Sequence, residues 1–228
     1  NYIVKSALDM ELIWCSPGSF IMGPGQDNNS PAHPVILSTG FYLGKYEVTQ
    51  EEYKEVMGKN PSQFKGDKLP VEQVSWNDSV AFCKTLTQKE RKDGWEFTLP
   101  TEAQWEYACR AGTTTAYYWG DTISASNANW NHGNDANQTE AVGQYSANQW
   151  GFFDMHGNVW EWTADWKGAY PRSSVVDPRG PSNGTFRVRR GGSWSSTDES
   201  LRSALRSSTK PSDTNIRIGF RVALKQVD

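Results

Sequence analysis

The stretch Gly151-Phe152-Phe153-Asp154-Met155-His156-Gly157-Asn158-Val159-Trp160-Glu161-Trp162 sets two carboxylates, Asp154 and Glu161, on either side of a glycine. Carboxylates are hard oxygen ligands, and a glycine turn between them can aim backbone carbonyls at the same point. That is the chemistry of calcium, which takes about six to eight oxygens. Turn-capping acids with tryptophans packed in a core would read the same way, and spacing alone leaves both open. A second stretch, RRGGSWSSTDESLRSALRSSTK over residues 189–210, is serine, threonine and charge behind one tryptophan. Rigid aromatic rings among adaptable hydroxyls are the composition of binding loops. A plain solvated connection is the other reading of such a long excursion.

The remaining reactive residue types form no familiar catalytic pattern. His33, His132 and His156 lack the i, i+4 spacing of a helical metal site and read as structural. Cys15, Cys83 and Cys109 are dispersed, without CxxC spacing, and read as buried free thiols with at most one pair. No GxSxG, P-loop or HExxH motif is present. Asp165 and Glu106 read as helix-surface or salt-bridge carboxylates.

The elements that must position these residues are short. Thr49, Ser75 and Thr101 each precede an apolar-periodic run in N-cap fashion. The first helix is expected to bury Tyr53, Val56 and Met57 and stop at Gly58. The second is expected to bury Val80, Cys83 and Leu86, and the third Ala108 and Cys109, with Gly112 beyond its end. Phe186-Arg187-Val188-Arg189 and Phe220-Arg221-Val222-Ala223 alternate as half-buried strands that bracket the serine-rich excursion and are expected to pair with each other. Glycine, proline, asparagine and aspartate punctuate the rest, so long stretches are irregular.

The chain of 228 residues shows no internal repeat, linker or compositional break, and one domain over 1–228 is expected. With 36% apolar residues but 11 Trp, 9 Tyr and 9 Phe, the core is expected to be built from aromatic rings. A net charge of −3 carries no basic footprint, which argues against nucleic-acid and lipid-surface partners. No apolar run approaches the roughly 20 residues of a membrane span, so direct membrane insertion is not expected. The chain starts at Asn1 rather than Met and reads as a mature or trimmed form. The expected localisation is export, to the cell surface or periplasm.

Six ordered motifs carry a resemblance over nearly the whole chain: Pro17-Gly18-Ser19-Phe20-Ile21-Met22-Gly23, Glu47-Val48-Thr49, Leu99-Pro100-Thr101-Glu102-Ala103-Gln104-Trp105-Glu106-Tyr107-Ala108, Gly157-Asn158-Val159-Trp160-Glu161-Trp162, Arg190-Gly191-Gly192-Ser193-Trp194 and Gly219-Phe220-Arg221. Together they resemble the sulfatase-modifying-factor family, whose founding member is the formylglycine-generating enzyme. The resemblance implies an α+β, C-type lectin-like fold with little regular secondary structure. It places Asp154, the carbonyls of Gly157 and Val159, and Glu161 on the family's main calcium position, a structural ion. A second, looser site would involve Asn129, the carbonyl of Trp130, and Asn134 or Asp135.

The family's enzymes oxidise a substrate cysteine with a cysteine pair of their own, or copper bound by it, just after the Gly-Gly-Ser motif. Here that stretch has no cysteine, and hydroxyls replace neither a Cu(I) ligand nor a disulfide partner. A catalyst is therefore not expected; an oxidase or maturation enzyme of unrecognised chemistry, or a structural module, is the alternative. The segment also resembles the variable proteins of diversity-generating retroelements, in which chosen codons near the C-terminus are mutated at adenines. By that resemblance, Arg190 to Trp194, Leu201 to Ala204, Arg206, Pro211 and Ile218 to Val222 are frame. Arg202 and Arg206, four apart and alternating with Ala204 and Leu205, are expected to anchor the excursion by hydrogen bonds beneath it. The presented surface is Trp194, Ser195, Ser196, Thr197, Asp198, Glu199, Ser200, Leu205, Ser207, Ser208, Thr209, Lys210, Ser212, Asp213, Thr214, Asn215, Ile216 and Arg217. Its expected partner is a protein or other macromolecule.

Overall fold

The computed structural model describes residues 3–6, 8–24, 30–91, 93–133 and 137–227. Along the chain come β1 (Ile3–Lys5), β2 (Glu11–Cys15), β3 (Gly18–Met22), β4 (His33–Leu37), β5 (Phe41–Gly44), α1 (Gln50–Met57), α2 (Trp76–Glu90), β6 (Trp95–Thr98), α3 (Glu102–Arg110), β7 (Trp160–Trp166), β8 (Val175–Val176), β9 (Arg187–Arg190), α4 (Asp198–Leu201), β10 (Arg206–Thr209), β11 (Ile218–Gly219) and β12 (Ala223–Gln226). They form three sheets, ordered β1-β2-β5-β12-β6, β10-β9-β7-β11 and β3-β4-β8. Between Arg110 and Trp160 the described backbone has no named element and is held by side chains instead. Asn148 shows how: its amide donates to the carbonyls of Ala108 (2.8 Å) and Cys109 (3.2 Å), and its Oδ1 accepts from the N–H groups of Trp150 and Phe152. Among the described residues no helix is long and apolar enough to cross a membrane.

The three capping sequences start the three long helices. Thr49, Ser75 and Thr101 each accept from the N3 backbone N–H, and Glu52, Asp78 and Gln104 return the bond. Gly58 ends α1 in the left-handed region at φ 72°. α3 ends at Arg110 with Ala111 as its left-handed cap, and Gly112 lies beyond the end as expected. The stripe of α2 also differs from the expected one. Its buried residues are Ser79, Phe82, Cys83 and Leu86, while Val80 is 37% exposed. An i, i+3, i+6 series drifts around a 3.6-residue helix, whereas i, i+3, i+4, i+7 holds one face.

The aromatic expectation holds at the centre. Tyr53 of α1 stacks on Phe82 of α2 (centroids 5.5 Å, planes 6° apart), and Phe220 meets Phe82 edge-on at 5.2 Å. Phe220 belongs to a segment that departs from its reading as an alternating strand. Residues 220–222 are all buried and bond to the 44–48 backbone, with Val48 N–H donating to Phe220 O and Gly44 N–H to Val222 O. The chain thus leaves β11, which runs parallel to β7, and crosses into β12 of another sheet. Consequently β9 and β12 do not pair. β9 lies between β7 and β10, so the excursion returns as its neighbour.

Candidate binding face

Period-two alternation across β7, β9 and β10 gives this sheet two dissimilar sides. Glu161, Arg190 and Arg206 are directly opposite one another on the inner side, against α3. Trp162, Trp166, Arg187, Arg189, Ser207 and Thr209 share the side away from α3, the outer side, where Trp162 is fully buried and the other five are half-buried.

The inner side is a set of buried ion pairs. Arg190, fully buried, donates to Glu106 and to the carbonyl of Ser203 at 2.9 Å. Arg206 forks onto Glu102, with Nε to Oε1 at 2.8 Å, and reaches the Gly168 carbonyl at 2.7 Å. Arg221 forks onto both oxygens of Glu161 at 2.7 Å and donates to the carbonyls of Gly44 (3.0 Å) and Phe153 (2.9 Å). Each guanidinium therefore satisfies a carboxylate together with backbone carbonyls, those of Phe153, Gly168 and Ser203 lying outside any strand. Arg206 is an anchor as its spacing suggests. Arg202 is exposed instead, and Arg190 and Arg221 do the work expected of it. Glu106 is a buried salt-bridge residue, paired with Arg110 as well. Asp165 accepts from the first N–H of α3, that of Glu102, at 2.7 Å.

Of the four residues of the calcium set, Glu161 is the one already engaged by a charge of the protein's own. Gly157 makes the expected turn at φ 89°, where a Cβ would sit 2.3 Å from the Asn129 carbonyl. Asp154 is buried and accepts from Gly143 N–H at 2.6 Å. Val159 N–H and the Asn158 amide are both held by Glu47, at 3.0 and 2.6 Å. Glu161, however, has both oxygens engaged by Arg221, and Trp105 Nε1–H adds a third bond at 2.7 Å. Among the described residues no group of three His, Cys, Asp or Glu is arranged for a metal. At the looser site, Asn129 donates to Gln138 O and Asn158 Oδ1, and Trp130 O accepts from His132 N–H; Asn134 and Asp135 lie outside the described residues.

The presented segment divides in two around Trp194. Residues 195–200 rest on the 116–131 loop, with Asn131 N–H donating to Ser196 O and Tyr117 Oη–H to Asp198 O. Residues 207–217 rest on the start of α2, through Gln73 N–H to Asn215 O and Asn77 N–H to Pro211 O. Thr197, Asp198, Glu199, Lys210, Ser212, Thr214 and Arg217 are exposed; Ser195, Ser196, Ser200, Leu205, Ser207, Thr209, Asp213, Asn215 and Ile216 are half-buried. Ser208, also half-buried, lies on the inner side opposite Val188. Trp194 is no exposed platform. At 8% exposure its ring is clamped by Phe64 edge-on at 5.8 Å and by its own Nε1–H to Ile216 O, so it supports the face from beneath.

The thiols are free and buried. Cys109 lies nearer the excursion than its sequence position suggests: its Sγ is 3.7 Å from His156 Nε2, and His156 Nδ1 contacts Leu201 O at 2.6 Å. Burial pushes the Cys109 thiol up to about 12, away from thiolate chemistry, and holds His156 neutral with a pKa lowered to about 3. His33 contacts Pro31 O and packs on Tyr170.

Two tests follow from this geometry. Arg221→Met strands a buried Glu161 and is expected to cost about 3–5 kcal/mol, whereas calcium added to the chelator-treated native protein leaves its melting temperature unchanged. A calcium-dependent rise abolished by Asp154→Ala would show that the ion displaces the guanidinium. Burial, and then the Glu102 charge, push Asp165 up to about 7. A raised folded-state pKa stabilises below the unfolded value and loses that contribution as pH climbs through 7. The stability of the native chain relative to Asp165→Asn should therefore fall between about pH 4 and 7 by a few kcal/mol; a flat difference in urea titrations would remove Asp165 as the titrating group.

Residues 5–226 match the family described as sulfatase-modifying factor enzyme 1-like domain. The chain is 35% identical to the chaperone protein LppX of Paenibacillus barcinonensis, over 71% of this chain and 72% of that protein. It is 34% identical to the formylglycine-generating enzyme of Mus musculus, over 84% of this chain and 53% of that one, so it spans about half the enzyme's length. Treponema denticola variable protein 1 superposes with a TM-score of 0.88 at 26% identity, over 97% of this chain and 98% of that one. This chain belongs to the sulfatase-modifying-factor family and has the C-type lectin-like fold of the formylglycine-generating-enzyme type.

Proposed function

We propose that this chain is a non-catalytic binding protein of the retroelement variable-protein type, exported to the cell surface or periplasm, whose segment 194–217 presents a diversified face to a macromolecular ligand. The observation that carries this reading is the division of one segment into buried frame and solvent-facing hydroxyls. Arg190, Gly191, Gly192, Ser193, Leu201 and Ser203 are buried, while the serines, threonines and acids between and after them reach the surface. Substitution at such surface positions touches none of the ion pairs beneath, which is what a face open to variation requires. The full-length likeness to Treponema denticola variable protein 1 supports it.

The chemistry of the segment also argues against oxidation of a substrate cysteine. Where an enzyme of this family needs two thiols there are Ser195, Ser196, Thr197 and Ser200. The nearby Cys109 is sealed in the core and lacks thiolate character.

Incubation with copper, oxygen and a cysteine-containing sulfatase peptide is expected to give no formylglycine; its formation would overturn the reading. The encoding genome is expected to hold a reverse transcriptase and a near-copy of the codons for residues 190–220 that differs at adenines. Their absence would remove diversification and leave an invariant ligand face.

A further inference from the structure

The arginines on the two sides of the β10-β9-β7-β11 sheet are treated differently. On the inner side, Arg190 and Arg206 each have a glutamate partner, and Arg221 beside them has Glu161. On the outer side, Arg187, Arg189 and Arg217 form no salt bridge among the described residues. Each is backed by tryptophan instead. The Arg187 guanidinium lies between the stacked rings of Trp76 and Trp166, 3.7 and 3.5 Å from their centroids. Arg189 lies 5.0 Å from the Trp160 centroid and Arg217 5.2 Å from that of Trp194. Arg187 Nε is buried and has no hydrogen-bond partner.

Aromatic backing fixes a guanidinium without neutralising it, and Arg187 Nη1–H to Ala164 O and Arg189 Nε–H to Ser207 Oγ add to the fixing, so these charges are pre-ordered and have no carboxylate in salt-bridge contact. The two carboxylates whose charges reach these arginines are already engaged. Asp213, beside Arg189, accepts from Thr209 Oγ1–H and Lys210 N–H, and Asp165, beside Arg187, accepts from Glu102 N–H. With exposed Lys210, the neighbourhood sets four positive side chains against two carboxylates, in a chain whose net charge is −3. Arg189 is held below the usual guanidinium value first by burial; Asp213 opposes this and the Arg217 charge adds to it.

Resting on the reading of this segment as a ligand face, we infer that the tryptophan-backed arginines Arg187 and Arg189, which lie outside the diversified segment, are its fixed anchor and, with Arg217 of the face itself, take an acidic polypeptide segment. Arg187 and Arg189 are two residues apart on one side of a strand, roughly 6–7 Å of rise, the spacing at which alternate side chains of an extended chain fall. Bidentate guanidinium–carboxylate bonds supply the attraction, and Ser207, Thr209, Ser212 and Thr214 beside them supply adaptable contacts. A long polyanion such as nucleic acid meets the negative charge of the whole molecule, whereas a short acidic segment meets only this row within a Debye length of about 8–10 Å.

Fluorescence anisotropy with labelled oligoglutamate, oligolysine and single-stranded DNA on the intact protein tests this. Oligoglutamate is expected to bind, more weakly as salt rises, and oligolysine not to bind. The pair Arg189→Gln with Arg217→Gln is expected to weaken oligoglutamate about tenfold or more. The pair Arg189→Lys with Arg217→Lys retains most of the charge effect, and Lys84→Gln on the exposed side of α2 leaves binding unchanged. Circular dichroism checks that the variants fold; should the glutamine pair unfold, the salt dependence and the oligolysine comparison on the native protein decide. No binding of oligoglutamate, equal binding by a folded glutamine pair, or tighter binding of DNA overturns the inference. The ligand-face reading itself falls only to formylglycine production in the copper assay, whatever oligoglutamate does.

Discussion

Three buried guanidinium–carboxylate pairs, Arg190–Glu106, Arg206–Glu102 and Arg221–Glu161, are the constraint on which the rest of the molecule depends. A chain with so little regular structure leaves many backbone carbonyls outside any ladder, and each must find a donor or stay solvated. The arginine fork meets that need with five N–H groups held in a plane. One end grips a glutamate on α3 or β7, and the other gathers carbonyls from residues 44, 153, 168 and 203. A buried pair is not by itself strong evidence of stability, but removing one partner is costly because the other stays behind charged. Position is what these pairs set. They tie the end of the chain to α3 and β7, so that β9 and β10 return at a defined place.

That arrangement separates two tasks along one short segment. Buried residues lock the strands to the interior, while the exposed Thr197, Asp198, Glu199, Ser212 and Thr214 contribute little to holding the fold. Trp194 belongs to the interior side of this division, being clamped by Phe64 and Ile216. The same logic explains how one fold can serve both a thiol enzyme and a binding protein. The frame requires glycines and arginines, while the chemistry lies in whatever the frame presents. Here the frame presents hydroxyls and charge, and the outer arginines, stacked on tryptophan instead of paired with glutamate, give that surface a sign.

Much of this was legible locally. Thr49, Ser75 and Thr101 announced their helices because a capping box is written within four residues, and the six spaced motifs carried the fold. What could not be read was tertiary. Alternation showed that Val188 faces inward, but nothing local tells Arg190 from Arg189, although one is fully buried and the other lies on the outer side. The reading of 220–223 as a strand failed because Arg221 turns inward to Glu161, so that 220, 221 and 222 are all buried. Asp154 and Glu161 have the right types and spacing for calcium, yet a distant arginine takes the glutamate. Glu47, which holds the Gly157–Val159 turn, lies about a hundred residues away in the sequence.

The separation of frame from face is tested most directly by measuring folding across two libraries of the same chain. In one, Ser195, Thr197, Ser207, Thr209, Ser212 and Thr214 are randomised; in the other, Arg190, Arg206 and Arg221 are. Thermal melting of many members of each gives the fraction that retains a cooperative transition. The account predicts that most members of the first library melt close to the parent, with changes within about 0.5 kcal/mol per position, and that few members of the second fold. Comparable losses in the two libraries would contradict it.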